Sequence, residues 1–231
     1  MNWWSWARRT VTGRQAERQT ITFTEPVQRV EVKLPAGAVS FAPADGPVRV
    51  HRTVRWALAR PVTAERVQDG VLRIDGSRRW WQLGGEISYR LEVPASASVR
   101  ASTRAGAVGV EGIGGDVEVQ TGAGEVTLER LSGSVRAITH AGQVHATDLK
   151  SADVRVESEA GGLSLTFAEP PGHVEARTKA GSVELSVPGE RYAVDATSSA
   201  GRVQVGVADD PFPPRQLIAH SGAGRVWISR H

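Results

Sequence analysis

A four-residue corner, built of a hydroxyl residue, any residue and then Ala-Gly, recurs seven times along this chain. The copies read Thr103-Arg-Ala-Gly106, Thr121-Gly-Ala-Gly124, Thr139-His-Ala-Gly142, Ser158-Glu-Ala-Gly161, Thr178-Lys-Ala-Gly181, Ser198-Ser-Ala-Gly201 and Ser221-Gly-Ala-Gly224. Successive glycines stand 18, 18, 19, 20, 20 and 23 residues apart, at the short end of the range of solenoid repeats. A chain that returns to one corner at this interval is built of short, equivalent units.

Strict alternation leads into every corner, as in Val99/Ala101, Val117/Val119, Val135/Ala137, Val154/Val156, Val174/Ala176, Val194/Ala196 and Leu217/Ala219. A second alternating run leaves it, as in Val108/Val110, Val126/Leu128, Val144/Ala146, Leu163/Leu165, Val183/Leu185, Val203/Val205 and Val226/Ile228. Period-two apolar spacing is the mark of a half-buried strand, so each unit holds two short strands. An upstream copy, with Val30, Val32 and Leu34 entering Ala36-Gly37 and Val39 and Phe41 leaving it, starts the array near residue 27. Residues 52–98 break the period and read as a hairpin elaboration of the same sheets: Asp69-Gly70 precedes Val71, Leu72 and Ile74, and Gly84-Gly85 precedes Ile87, Tyr89, Leu91 and Val93. The expected organisation is an N-terminal segment over 1–19, a tail or a cap, and a β-strand-repeat domain over 20–231, regular from residue 99.

These signals predict an all-β chain: a single-domain β-solenoid, parallel β-helix-like, of about eight two-strand coils. An antiparallel β-sandwich is the competing topology, because its strands recur at similar spacing. Matching positions that keep one residue type in every period favour the solenoid, since each coil then stacks on its predecessor at about 4.8 Å. The column Thr103, Thr121, Thr139, Ser158, Thr178, Ser198, Ser221 forms a ladder whose hydroxyls can bond each other or the corner backbone. Outward positions also suit stacking: Arg100, Glu118 and Arg136 follow one another in one column, then Arg155 and Glu175, and Glu157 precedes Arg177 in the next.

Composition removes several chemistries. The chain of 231 residues has no cysteine, which excludes disulfides, thiolate metal sites and cysteine nucleophiles. Its 28 basic and 25 acidic residues leave a charge of +3, unevenly spread, with +7 over residues 1–100 and −4 over 101–231, so an anionic partner would meet the N-terminal part. No apolar run approaches the roughly 18 to 20 residues of a membrane span, and none follows the N-terminal charges as a signal peptide requires, which predicts a cytoplasmic protein, peripheral at most to the inner membrane. Trp3, Trp4 and Trp6 followed by Arg8 and Arg9 suit weak contact with a membrane surface.

No constellation carries a reaction. The GxG triplets at Gly112, Gly122 and Gly222 open no helix, and two of them are repeat corners. His140 and His145 straddle a corner, a metal site only with a carboxylate from a neighbouring coil. Gly112-Ile-Gly-Gly-Asp116 is a single copy of a pattern that binds calcium only when stacked. Asp209-Asp210 precedes Pro211-Phe-Pro213-Pro214, and Trp80-Trp81 beside Arg78 and Arg79 reads as a hairpin whose indoles cover a sheet end. The expectation is no catalytic, cofactor-binding or metal residue, no cofactor and no nucleic-acid partner.

The stretch Tyr89-Arg-Leu-Glu-Val-Pro94-Ala-Ser-Ala-Ser-Val99, running into repeated Thr-x-Ala-Gly-x-Val-x-Val corners, resembles the bacterial putative-adhesin family, a β-strand-repeat domain of unknown function. Asp69-Gly70-Val-Leu72-Arg-Ile74 and Val30-x-Val-x-Leu-Pro-Ala-Gly37 resemble that family's early strands, and the likeness runs over roughly residues 20–229. It implies a non-enzymatic scaffold or binding module whose partner is another protein or the chain itself. Two other readings stand beside it: a self-assembling, bactofilin-like filament, and a β-helix enzyme acting on glycans.

Overall fold

The computed structural model describes residues 15–56, 62–76, 85–210 and 214–231, which form two facing eleven-stranded sheets. Each corner carries the chain from one sheet to the other. We call sheet B the one that enters the corners and sheet A the one that leaves them. The upstream copy gives β2 (Arg29–Ala36) in sheet B and β3 (Val39–Pro43) in sheet A. The regular copies follow as β8 (Ser98–Ala105) and β9 (Val108–Glu111), β10 (Val117–Ala123) and β11 (Val126–Glu129), β12 (Val135–Ala141) and β13 (Val144–Leu149). Then come β14 (Asp153–Ala160) and β15 (Leu163–Phe167), β16 (His173–Ala180) and β17 (Val183–Val187), β18 (Arg191–Ala200) and β19 (Val203–Val205), and β21 (Gln216–Ala223) and β22 (Val226–Arg230). Between the last two pairs lies β20 (Ala208–Asp209).

All pairings among these strands are parallel, as in β8 on β10 and β9 on β11, so the antiparallel sandwich is set aside in favour of the solenoid. The apolar alternation faces inward throughout, placing Val99, Val117, Val135, Val154, Val174 and Leu217 in one buried column. A further inward column, Ile113, Leu131, Leu149, Phe167 and Val187, closes the return side of each layer. Ile113, Leu131 and Leu149 come three residues after the last inward residue of the exit pair and so break its period, whereas Phe167 and Val187 continue the alternation of β15 and β17.

The corners stack as a glycine ladder. Gly106, Gly124, Gly142, Gly161, Gly181 and Gly224 all take φ between 148° and 155°. A Cβ on any of them would lie 1.9–2.2 Å from the carbonyl oxygen of the glycine one layer before. Both the backbone region and the close approach demand glycine. The hydroxyl column answers the same carbonyls: Thr121 Oγ1 donates to Gly106 O at 3.3 Å, Thr178 to Gly161 O at 3.0 Å, Ser221 to Gly181 O at 2.8 Å and Ser198 to Gly224 O at 2.7 Å. These hydroxyls therefore bond the corner backbone and not one another, while Thr103, Thr139 and Ser158 have no hydrogen-bond partner among the described residues.

Chain order and stacking order part at both ends. The sequence reads as each coil resting on its predecessor, ending with the coil of Val226-Trp227-Ile228. In the structure β21/β22 inserts between β16/β17 and β18/β19, so the last coil in sequence is next to last in space. The equivalent corners accept either order, and the period of 23 gives the chain length to step back over one layer. At the other end, β6 (Val71–Gly76) and β7 (Glu86–Val93) lie parallel to β2 and β3 and form a layer of their own, making nine two-strand layers among the described residues.

Asp69 and Gly70, at φ 52° and 72°, turn β5 (Thr63–Gln68) antiparallel onto β6, the two-residue hairpin turn with both central residues left-handed. The Gly84-Gly85 signal does not make a second hairpin: β6 and β7 lie in opposite sheets, and the antiparallel partner of β7 is β4 (Val48–Trp56). The outermost strand of sheet A is β1 (Gln15–Phe23), antiparallel to β4, so residues 15–19 of the N-terminal segment belong to a sheet. Among the described residues no helix is long and apolar enough to cross a membrane.

Candidate binding surfaces

Parallel, in-register stacking turns each outward position into a column with one side chain per layer. On sheet B the principal column runs Arg73, Glu31, Arg100, Glu118, Arg136, Arg155, Glu175, Ile218, Asp195. Arg73 pairs with Glu31 at 3.2 Å, Arg100 with Glu118, and Arg155 with Glu175 at 3.9 Å. Pairs this exposed are worth about 0–1 kcal/mol each, and their main effect is on register. Glu157 and Arg177 are register partners without an ion pair, because Arg177 turns to Glu175 on its own strand and to His220 Nδ1 at 3.5 Å. Ile218, inserted by the exchanged coil, interrupts the alternation.

One step in this column runs against pairing. Arg136 and Arg155 lie directly opposite each other, a like-charge contact that is unfavourable in a sheet. Arg155 has Asp153 at 3.4 Å, whereas Arg136 has no carboxylate partner among the described residues. Beside it a groove of about 360 Å³ runs across the N-terminal ends of the sheet B strands, lined by Arg29, Arg100, Arg136 and Arg155 with Asp116 and Ser134. Asp116 accepts from Ser134 Oγ at 2.6 Å and Ser134 N at 3.1 Å, and these two bonds hold its carboxyl below the usual carboxylate range. Its folded pKa is depressed, so its contribution to stability is present above the unfolded pKa and is lost as pH falls through the folded one.

The other residues singled out in the sequence are dispersed or engaged. His140 faces out from β12 in sheet B and His145 from β13 in sheet A, so they cannot share a ligand. Among the described residues no group of three or more His, Asp or Glu could hold a metal ion. Asp209 Oδ1 accepts from Val194 N at 3.1 Å and Asp210 lies 3.6 Å from Arg191, so both tie β20 to β18. Glu111 and Glu129 are register partners on neighbouring layers, and Arg130 bridges both. Trp3, Trp4, Trp6, Arg8 and Arg9, and likewise Arg78, Arg79, Trp80, Trp81 and Phe212, lie outside the described residues.

A polar cluster that the sequence did not announce sits inside the N-terminal end. Arg52 of β4 and Glu65 of β5 point inward from opposite sheets, with side chains 13% and 9% exposed, and pair at 2.9 Å. Glu65 Oε1 also accepts from Tyr89 OH at 2.6 Å and Thr63 Oγ1 at 2.8 Å, and Arg52 donates to Thr63 at 2.8 Å and to Gln19. Burial, then the bond to Glu65, pushes the Tyr89 phenol above its ordinary value; burial does the same to Tyr192, whose OH donates to Pro188 O at 3.0 Å. These are the chain's two tyrosines. Following phenolate absorbance near 295 nm should show little ionisation around pH 10 in the folded protein and full ionisation of both once urea unfolds it. A normal titration in the folded state would place the phenols in water.

The fold and its faces define a two-sheet parallel β-solenoid whose outer columns are polar and mixed in charge. The chain belongs to the Toastrack DUF4097 family, whose model matches residues 15–212. Among solved structures it is similar to one described as a putative adhesin from Bacteroides fragilis, at 13% identity and TM-score 0.50, covering 92% of this chain and 97% of that one. It is also similar to a putative cell adhesion protein from Clostridium sporogenes at 9% identity and TM-score 0.44, covering 95% and 100%. A third, a putative lipid binding protein from Parabacteroides distasonis, shares 12% identity with TM-score 0.28 over 94% and 96%. No curated protein matches the chain. At 13% identity the likeness to the Bacteroides fragilis structure speaks to the fold alone.

Proposed function

We propose that this chain is a non-enzymatic binding module or scaffold of a bacterial cell, acting in the cytoplasm or at the inner membrane surface. It holds charged side chains at fixed steps of about 4.8 Å against the surface of a partner protein. The observation that carries this reading is the sheet B groove, where Arg136 stands opposite Arg155 without a carboxylate of its own. A local electrostatic penalty kept on a rigid exposed face is of use when a partner supplies the missing anion. The carboxylates nearby are already engaged, Asp116 by Ser134 and Glu118 by Arg100, which supports recognition over acid–base chemistry.

The test compares the full chain with R29E/R136E. Each is immobilised, exposed to a bacterial lysate at physiological salt, washed with a salt gradient, and its retained proteins are identified by mass spectrometry. The expected result is a discrete set held by the wild type and lost by the variant, with unchanged far-UV circular dichroism. Turnover of a polysaccharide by the purified chain, abolished by D209N or D210N, would overturn the reading.

A further inference from the structure

The two ends of the stack differ in chemistry. At the N-terminal end Gln19 of the outermost β1, Arg52 of β4 beside it, and Thr63 and Glu65 of the outermost β5 are joined to one another across the sheets, next to the inward Ile21 and Phe23 of β1 and Val67 of β5. At the other end the inward positions are Val194 and Ala196 of β18 and Val203 and Val205 of β19. Val203 and Val205 are 39% and 41% exposed, whereas their register partners one layer in, Val226 and Ile228, are fully buried.

The backbone is unfinished at the same place. The short β20 pairs with β18 at Arg191 and Tyr192, and the Asp209 carboxylate takes the next outward N–H, that of Val194. The Ala193 N–H turns the other way, to Arg215 O in the neighbouring layer. Since successive N–H groups of a strand alternate sides, those of Ala196 and Ser198 face outward. Among the described residues no strand lies beyond β18 from Asp195 to Ala200, or beyond β19.

An unpaired strand edge above an apolar rim is satisfied by another strand edge, which supplies backbone partners and apolar cover together. A second copy of this chain offers two such edges. Its N-terminal end carries β1, whose inward Gln15, Glu17 and Gln19 would set polar side chains, one of them charged, against Val203 and Val205. Its own β18/β19 end offers apolar side chains to apolar side chains.

We propose that two copies join through their β18/β19 ends about a two-fold axis normal to the sheets. Each β18 then runs antiparallel to the β18 of its partner and each β19 to its counterpart, extending both sheets across the junction. Such an interface is isologous, so it closes at two copies and leaves the charged ends outermost, in contrast to the open-ended growth of a filament. The paired edge is short, which places the association at the weak, concentration-dependent end.

The experiment is light scattering with in-line separation on the full chain over a hundredfold concentration range, beside V203E/V205E. Both substitutions fall on positions that are 39% and 41% exposed in the single chain. Mass should rise from 24.7 kDa to twice that value and level off, while the variant stays at one chain mass with unchanged circular dichroism. Amide exchange read at low and high concentration should show Ala196 and Ser198 gaining protection on association. Growth past two copies, a constant single-chain mass, or pairing that survives V203E/V205E would each overturn the proposal.

Discussion

Gly142→Ala should lower the unfolding free energy by about 3 kcal/mol or more, among the largest effects a single methyl group can have in this chain. Gly142 has φ 153°, and its Cβ would lie 2.1 Å from Gly124 O. The left-handed region alone costs an alanine about 1–3 kcal/mol. The clash cannot be relieved by rotating a side chain, because the obstacle is backbone and is itself held by the next layer. Two layers must therefore separate, and in a linear stack that weakens the interface on which neighbouring layers depend. Gly109→Ala is the control, since a Cβ there meets nothing nearer than Ser40 Cβ at 3.8 Å, an ordinary contact. Urea unfolding followed by circular dichroism checks the pair. A loss below about 1 kcal/mol in G142A would mean that the ladder is loose enough to accept a side chain.

Arg52→Ala should cost about 3–5 kcal/mol, because it leaves the Glu65 carboxylate inside the N-terminal end without its cation. The same range applies to Glu65→Ala, which strands the guanidinium together with Tyr89 OH. Replacing both, as in R52M/E65L, should recover much of the loss, since two apolar side chains remove the desolvation penalty along with the attraction. The cycle separates the coupling of the pair from the penalty of breaking it. Additive losses would show that the two side chains act independently. Amide exchange adds a local readout: opening should concentrate in β1, β4 and β5, with the glycine ladder beyond β8 unaffected.

Much of the architecture was legible in residue order. The corners are visible because glycine at Gly37, Gly106, Gly124, Gly142, Gly161, Gly181 and Gly224 answers the same backbone requirement layer after layer, and the alternation around them assigns the faces. The Asp69-Gly70 turn was equally plain, since few dipeptides accept two left-handed residues. The column of Ile113, Leu131, Leu149, Phe167 and Val187 was harder to see because its distance from the preceding inward residue changes from three in the first three layers to two in the last two. The candidate surface was legible only as scattered charges: Arg100, Glu118 and Arg136 read as a column, but the like-charge step from Arg136 to Arg155 and the groove beside it need strands placed side by side.

Residue order alone is enough to define the unit, a two-strand coil with a glycine corner, because the constraint is local and repeated. The order in which units stack comes from the packing of the whole chain. Equivalent corners are interchangeable in register, so nothing in a single repeat says that β21/β22 slides in ahead of β18/β19, or that β6/β7 lies outside β2/β3. The tertiary structure likewise set the character of the two ends. Whether Val203 is core or surface, and whether Arg52 meets Glu65, depends on which strand comes last in each sheet, a property of the whole stack.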